Sequence, residues 1–462
     1  MQSQTTTGKG VTIAFLDSGF YPHPDLVEPL NRIIAFKDLS GEQTLNKQGD
    51  VESWQGHGTQ TSVVAAGNGQ LSGGNYKGLA PDARLVLVKA SEKGRIIEEN
   101  LARGIEWVIE NREQYNIRVL NISLGGDEDV PCSKSIIDQA AEEAIRQGIV
   151  VVAAAGNSGA DEKHSLPPAN SPSVITVGGY DDKNNLNQTG RDLYHSNFGA
   201  TADGSVKPEI IAPAMWVAAP ILPGTALYEK AEALSRIAAA PDYQLSSLVH
   251  EYGRKAELPQ SLAEADPGAI RNYIELLLNQ EKIVATHYSH VDGTSFAAPI
   301  VSSIVAQMIE ANSKLTPGAV KSILVSTADR IGNAPAIRQG YGVVNARRAV
   351  ALAMTERHAL KIGGCSPPRV ANGRLIFLFH DDEAASVSLA GDFNSWHRRN
   401  MPLSKDGHGL WQIEIAPPPP GLYQYKFIMD GEVDGGRWVE DPSNGMKAPD
   451  NRGGLNSVLD LL

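Results

Sequence analysis

Ile149-Val150-Val151-Val152-Ala153-Ala154-Ala155-Gly156-Asn157 is an unbroken apolar run that stops on glycine and asparagine. A strand without polar alternation is covered on both faces, which is the habit of a parallel sheet held between helices. Residues 84–89, 119–123 and 174–177 repeat the pattern, and 11–17 form a similar strand that ends in an acid. Between these runs, 98–115 and 135–147 space their apolar residues as amphipathic helices do. The alternation predicts a doubly wound parallel α/β sheet. Such a sheet gathers its functional groups at the carboxyl ends of its strands, where Asp17 and Asn157 would stand.

Two further motifs carry reactive side chains. Gly56-His57-Gly58-Thr59 opens an apolar helix expected at 60–66. Gly293-Thr294-Ser295-Phe296-Ala297-Ala298-Pro299 places Ser295 at the mouth of an apolar helix expected at 297–309, with Pro299 in its first turn, where a missing N–H costs little. A serine there has free backbone N–H groups and the positive end of the helix dipole beside it. That suits a nucleophile whose reaction creates an oxyanion. A hydroxyl needs a base to attack an amide, and His57 is the candidate that stands in a motif. A histidine can take the serine proton and return it to the leaving amine. Asp17 would hold the imidazole, and Asn157 with the Ser295 N–H would bind the oxyanion. Singly, each residue is an ordinary turn former or helix cap; their order and context carry the reading.

The chain order Asp17, His57, Ser295 is that of subtilisin. With Gly78-Leu79-Ala80-Pro81, Asn121-Ile122-Ser123-Leu124-Gly125-Gly126 and Lys207-Pro208-Glu209-Ile210-Ile211-Ala212-Pro213, these motifs resemble the subtilisin-like serine proteases (subtilases) over residues 8–356. The resemblance implies a three-layer fold and a serine endopeptidase acting on protein or peptide substrates through an Asp-His-Ser triad, an acyl-enzyme and no catalytic cofactor. It further implies that Ser123, Leu124, Gly125 and Gly126 pair with the substrate strand. Ala153, Ala155 and Gly156 would wall the pocket for the residue before the scissile bond. Small walls leave room for a bulky apolar group, and Asp161, Glu162 and His164 nearby leave basic specificity open. Gln60 and Ala214 depart from the family, which usually has histidine and glycine there. The turn 67–78, which binds calcium in many relatives, holds no carboxylate, so a calcium site is not expected in it.

Length and charge narrow the rest. At 462 residues the chain exceeds one ordinary domain, and 41 Lys and Arg against 53 Asp and Glu leave a net charge of −12. That balance argues against a phosphate-binding surface or an anionic membrane, so neither nucleic acid nor membrane is expected as a partner. No apolar stretch of membrane-span length stands out. The first residues lack the apolar core of a signal peptide, and Cys132 and Cys365 form no disulfide framework. Both features predict a cytoplasmic protein; the alternative is a secreted mature form already trimmed.

Residues 223–286 interrupt the α/β pattern with helical periodicity at 226–240, 244–255 and 268–282. This insert returns just before the Ser295 turn and must lie near the cleft, either as a side decoration or as a cap touching the entrance or leaving-group side. A further helix is expected at 336–355. After a Gly/Pro-rich linker (357–372), short alternating strands at 375–380, 386–390, 410–415, 421–429, 437–439 and 457–461 predict a small antiparallel immunoglobulin-like sandwich over 373–462. Its motifs Leu389-Ala390-Gly391-Asp392-Phe393-Asn394-Ser395-Trp396 and Tyr423-Gln424-Tyr425-Lys426-Phe427, with Trp438-Val439-Glu440-Asp441-Pro442, resemble the glycogen-binding module of carbohydrate-binding family 48. That resemblance implies α-glucan stacked on Trp396 and Trp438, with Lys426 and Asn456 bonding hydroxyls. An insertion at 432–437 lengthens the turn before Trp438. Two functions therefore compete: an active peptidase with an appended module, and a catalytically idle scaffold that binds glycan or protein.

Overall fold

The computed structural model describes residues 6–41, 45, 51–92, 94–127, 130–159, 164–185, 190–355, 368–371, 373–381, 384–406, 409–430, 436–444, 447–450 and 455–461. Asp161, Glu162, Cys365, residues 357–367 and 372 of the linker and most of the 432–437 insertion lie outside them.

Parallel strands β1 (Thr12–Asp17), β2 (Ile33–Asp38), β3 (Arg84–Lys89), β4 (Ile117–Ile122), β5 (Val150–Ala154), β6 (Ile175–Asp181) and β7 (Ile210–Pro213) form the main sheet. Their order is β7-β6-β5-β4-β1-β3-β2. Both faces are buried, which is why the strands read as continuous apolar runs. On one face Ile13, Phe15, Leu85, Leu87, Val150 and Val152 pack under helices α1 (Gln55–Ala66), α7 (Thr294–Ala311), α8 (Pro317–Thr327) and α9 (Ala346–Thr355). On the other, Ala14, Leu16, Val86, Val88, Val151 and Ala153 pack against α2 (Glu98–Glu110) and α3 (Ile136–Arg146). The result is three layers with all strand carboxyl ends on one edge.

Three expectations need correction. α1 and α7 each begin before the positions read from apolar periodicity, so His57 and Ser295 lie inside a helical first turn. Pro299 therefore sits in the interior of α7, a placement that can cost about 3 kcal/mol. The missing N–H would have served the Ser295 carbonyl; the Ser123 hydroxyl donates to that oxygen instead, at 2.9 Å. The helix expected over 336–355 is broken in two, at Ala336–Gln339 and α9, because Gly340 and Gly342 take φ of +57° and +119°. Finally, α7 is apolar and long enough by composition to cross a bilayer, but 78% of it is buried as the central core helix.

The insert folds on its own core. Helices α4 (Ala226–Ala239), α5 (Leu245–Tyr252) and α6 (Pro267–Gln280) enclose Leu234, Ile237, Val249, Ile270 and Ile274. It grows from a hairpin of β8 (Val217–Pro220) and β10 (Tyr288–Val291), to which β9 (Ile283–Ala285) adds a third strand that periodicity did not reveal.

The C-terminal module is two antiparallel sheets. One contains Arg369–Ala371, β11 (Arg374–His380), β13 (Leu410–Ile415) and Ser404–Lys405. The other runs β12 (Val387–Gly391), β14 (Leu422–Met429), β16 (Leu455–Asp460) and Lys447–Pro449, with β15 (Arg437–Val439) also on β14. Phe377, Phe379, Trp411, Tyr425 and Phe427 fill the space between them. The module touches the α/β domain where the Ser322 hydroxyl donates to the Pro442 carbonyl, at 2.5 Å.

Candidate active site

Asp17 ends β1, with its carboxylate buried at the edge where strands β3 and β4 flank it. Oδ1 accepts from the Ser18 N–H at 2.7 Å and Oδ2 from the Thr61 hydroxyl at 3.0 Å. The His57 ring donates Nδ1–H to Oδ1 at 2.7 Å. α1 comes this close because residue 58 is glycine: a Cβ there would stand 2.3 Å from the Gly19 carbonyl oxygen and 3.0 Å from the Asp17 Cβ. The contact commits His57 to the tautomer with its proton on Nδ1, which leaves Nε2 free to accept one.

The His57 ring packs on Phe296, the neighbour of Ser295, with ring centroids 5.8 Å apart. Ser295 stands in the first turn of α7, whose N–H groups have no intrahelical acceptor. Among the described residues its hydroxyl makes one hydrogen bond, to the Ser123 carbonyl at 3.3 Å. Ser123 and Ser295 thus exchange hydroxyl-to-carbonyl bonds, which pin the end of β4 to the start of α7. Behind them, the Ser302 hydroxyl donates to Asn121 Oδ1 at 2.9 Å, and Asn121 Nδ2 to the Ser123 hydroxyl at 3.0 Å. Both side chains are buried. Neither was singled out from the sequence, although a polar residue inside an apolar strand or helix was the available signal.

Asn157 follows β5 and is exposed. Its Oδ1 accepts from the Thr294 N–H at 2.9 Å and from the Thr294 hydroxyl at 3.0 Å, which also receives the Gly156 N–H at 3.1 Å. A backbone donor fixes which end of the amide is oxygen. Nδ2 is left without a partner among the described residues, in the residue that Thr294 ties to the start of α7.

Burial of the His57 ring works against its charge, but the Asp17 carboxylate, by its field and its hydrogen bond, outweighs it and holds the pKa above the ordinary 6.5. A histidine that serves as a base must be neutral to accept a proton, so any turnover that depends on His57 should fall as pH drops through that raised pKa. The acid limb of kcat/KM, measured on free enzyme, should have its midpoint above 6.5. Asp17→Asn should move it downward, because the raising charge is gone; an unmoved limb would show that His57 is not the titrating base.

The sequence matches the Subtilase family (Peptidase S8) over residues 8–342 and carbohydrate-binding module 48 (isoamylase N-terminal domain) over 364–443. The chain belongs to the subtilase family. Serine protease AprX of Bacillus subtilis (strain 168) is 32% identical over 355 residues, covering 75% of this chain and 67% of that protein. Subtilisin BL of Lederbergia lenta is 33% identical over 209 residues, 45% of this chain and 65% of its own. A solved protease structure from Pseudoalteromonas arctica PAMC 21717 superposes with a TM-score of 0.51 at 24% identity, over 76% of this chain and 91% of that one. Family membership makes the chain a serine-type peptidase.

The other site residues can now be placed in this subtilase. Leu124 and Gly125 make no backbone hydrogen bond among the described residues and offer an open strand edge. Gly126 closes it by donating to the Pro167 carbonyl at 2.8 Å. The pocket wall differs from expectation. Ala153 is fully buried between the sheet and α3, and Ala155 is 2% exposed, so both back the wall while Gly156 reaches solvent. His164 spends its carbonyl on the Asn197 amide, at 3.0 Å. The Ala214 methyl is accommodated because Gly179 lies opposite: a Cβ on Gly179 would fall 2.2 Å from it.

No group of three His, Cys, Asp or Glu poised for a metal occurs among the described residues. The 67–78 turn leans on Asp25, whose oxygens accept from the Leu71 N–H at 3.1 Å and the Tyr288 hydroxyl at 2.6 Å. The Pro172 and Val174 carbonyls converge as they would on a cation. Protein ammonium groups fill that place: Lys321 donates to both at 2.8 and 3.1 Å, and Lys207 to Val174 at 2.9 Å. Glu209 pairs with both, at 2.6 and 2.7 Å.

In the module, Ile428 on β14 pairs with Trp438 on β15. Strand alternation then puts Gln424, Lys426 and Trp438 on one face, opposite the Tyr425–Phe427 core. Trp396 meets Trp438 there, with centroids 6.2 Å apart and planes at 38°. Both rings are half-buried and neither belongs to the module core. Lys426 is paired with Asp450 at 2.8 Å, and Asn456 Nδ2 donates to Gln424 Oε1 at 2.8 Å.

Proposed function

We propose that this subtilase is a serine endopeptidase acting through Asp17, His57 and Ser295. Ser295 Oγ attacks the scissile carbonyl carbon while its proton passes to His57 Nε2. Asn157 Nδ2 and the Ser295 N–H bind the oxyanion. Collapse breaks the C–N bond, the leaving amine takes the proton from His57, and an ester remains on Ser295. Water, deprotonated by His57, then hydrolyses the ester and restores the hydroxyl. No step calls for a cofactor or calcium. The reading rests on the 2.7 Å His57–Asp17 bond set beside a serine at a helix N-terminus. A fluorophosphonate probe tests it: labelling of wild type that disappears in Ser295→Ala supports the peptidase, and an unlabelled wild type leaves the idle-scaffold alternative.

The module on this reading binds α-glucan. Sugar rings present apolar faces, and the Trp396 and Trp438 rings offer a platform off the core, with Lys426 and Asn456 on the same sheet face. Full-length Ser295→Ala protein should be retarded in native gels containing glycogen. Adding Trp396→Ala should weaken binding about tenfold or more, a loss of ~1.4 kcal/mol or greater. Equal mobility of the two proteins would remove glycan from the account.

A further inference from the structure

The substrate's acyl side is assigned to the open edge after β4. The other flank of Ser295, beyond Asn157 and toward β6 and β7, is left for the leaving-group side. Trp216, three residues past β7, stands on that flank, and it is held from several directions. Its N–H donates to Asp292 Oδ1 at 3.0 Å. Its indole is a hydrogen-bond partner of Asp181, at the end of β6. The His290 ring meets it edge-on, with centroids 5.8 Å apart, and the Lys282 ammonium lies 4.7 Å from its ring centre.

Lys282 belongs to the insert, two residues beyond α6. Its ammonium also pairs with Asp292, and its carbonyl accepts the His290 N–H at 2.7 Å. Asp292 is followed by Gly293, whose N–H donates to the Ala214 carbonyl at 2.7 Å, and by Thr294, which holds Asn157. Contacts therefore run unbroken from the insert to the residue before the nucleophile. Both bulky partners adopt left-handed backbone, Trp216 at φ +58° and Lys282 at φ +55°. Such conformations persist where surroundings impose them, and they collect at functional sites. Burial and the Lys282 ammonium hold the His290 pKa below 6.5, so the ring beside Trp216 is neutral at pH 7.

We propose that Lys282 is a positioning residue for the leaving-group side of the substrate: through Asp292 and Trp216 it makes the helical insert one wall of the cleft. The idea rests on the peptidase reading above. An ammonium that bridges a carboxylate and an indole face fixes both, and Trp216 then presents a flat, immobile surface to residues beyond the scissile bond. The insert is thereby part of substrate recognition.

Two substrates test this. A peptidyl p-nitroanilide carries only the nitroaniline ring past the scissile bond, whereas an internally quenched peptide extends at least four residues past it. Wild-type anilide turnover that is lost in Ser295→Ala establishes the peptidase reading separately. Lys282→Met should then raise KM for the quenched peptide about fivefold more than KM for the anilide, with little separation in kcat. Lys282→Arg, which keeps the charge, should restore most of the difference. Trp216→Ala should reproduce the selectivity even if Lys282→Met folds poorly. Equal effects on both substrates in Trp216→Ala, or no effect on either, would overturn the proposal and leave Lys282 as a surface tie.

Discussion

Ser295→Ala and His57→Ala should each lower kcat on the order of 10⁶-fold, with Tm within about 2 °C of wild type. The two halves of this result have separate causes. Chemically, the Ser295→Ala enzyme has no atom to form the ester, and the His57→Ala enzyme has no base to take the serine proton. Such residues act as a unit, so the double variant should be little worse than either single one. Structurally, neither side chain holds the fold. Among the described residues the Ser295 hydroxyl makes one long hydrogen bond, 3.3 Å to the Ser123 carbonyl, while α7 is anchored by its buried neighbours Thr294 and Phe296. The His57 side chain is 35% exposed. Without it, the buried Asp17 carboxylate keeps its bonds from the Ser18 N–H and the Thr61 hydroxyl, so no unpaired charge is stranded. Asp17→Ala is a poorer probe, because it removes the acceptor that organises three donors. Peptide turnover within about 10³-fold of wild type in either variant would sink the triad, and a Tm drop of many degrees would show that the side chain also carries structure.

What the sequence showed and what it hid divide along a physical line. Local signals were sufficient for the sheet: β3 runs over Arg84–Lys89 and β13 over Leu410–Ile415, as apolar run length and alternation indicated. Contacts far apart in sequence were not visible. Pro299 was read as a first-turn proline, because only the fold supplies the Ser123 hydroxyl that lets it sit deeper in α7. The 336–355 helix was overextended, because helical composition says little about the left-handed turn at Gly340 and Gly342. The resemblance placed Ala153 and Ala155 along a pocket wall, yet the pleat turns Ala153 into the core. Thr294 carries no local signal of a role, and its work of holding Asn157 emerges only when β5 and α7 are brought together.

Asn157→Ala should lower kcat about 10²–10³-fold with KM nearly unchanged. A donor that meets charge only as the tetrahedral intermediate forms contributes to the transition state and little to substrate binding, so the loss belongs in kcat. The geometry sharpens this beyond a simple truncation. The two ends of the Asn157 amide differ: Oδ1 accepts from the Thr294 N–H and hydroxyl, and Nδ2 has no partner among the described residues. Alanine removes both, so a fall in kcat alone would not say which one matters. Asn157→Asp separates them. Its carboxylate still accepts from Thr294 and holds the start of α7, but it places an acceptor, and negative charge, where the oxyanion must form. If donation from Nδ2 is the catalytic function, the Asp variant should be at least as slow as the Ala variant. If Asn157 serves only to anchor Thr294, the Asp variant should recover most of the wild-type rate. Single-turnover acylation, followed with an ester and an amide substrate, is the measurement. A fast Asp variant beside a slow Ala variant would remove Asn157 from the oxyanion site and leave the charge to the backbone N–H groups of α7.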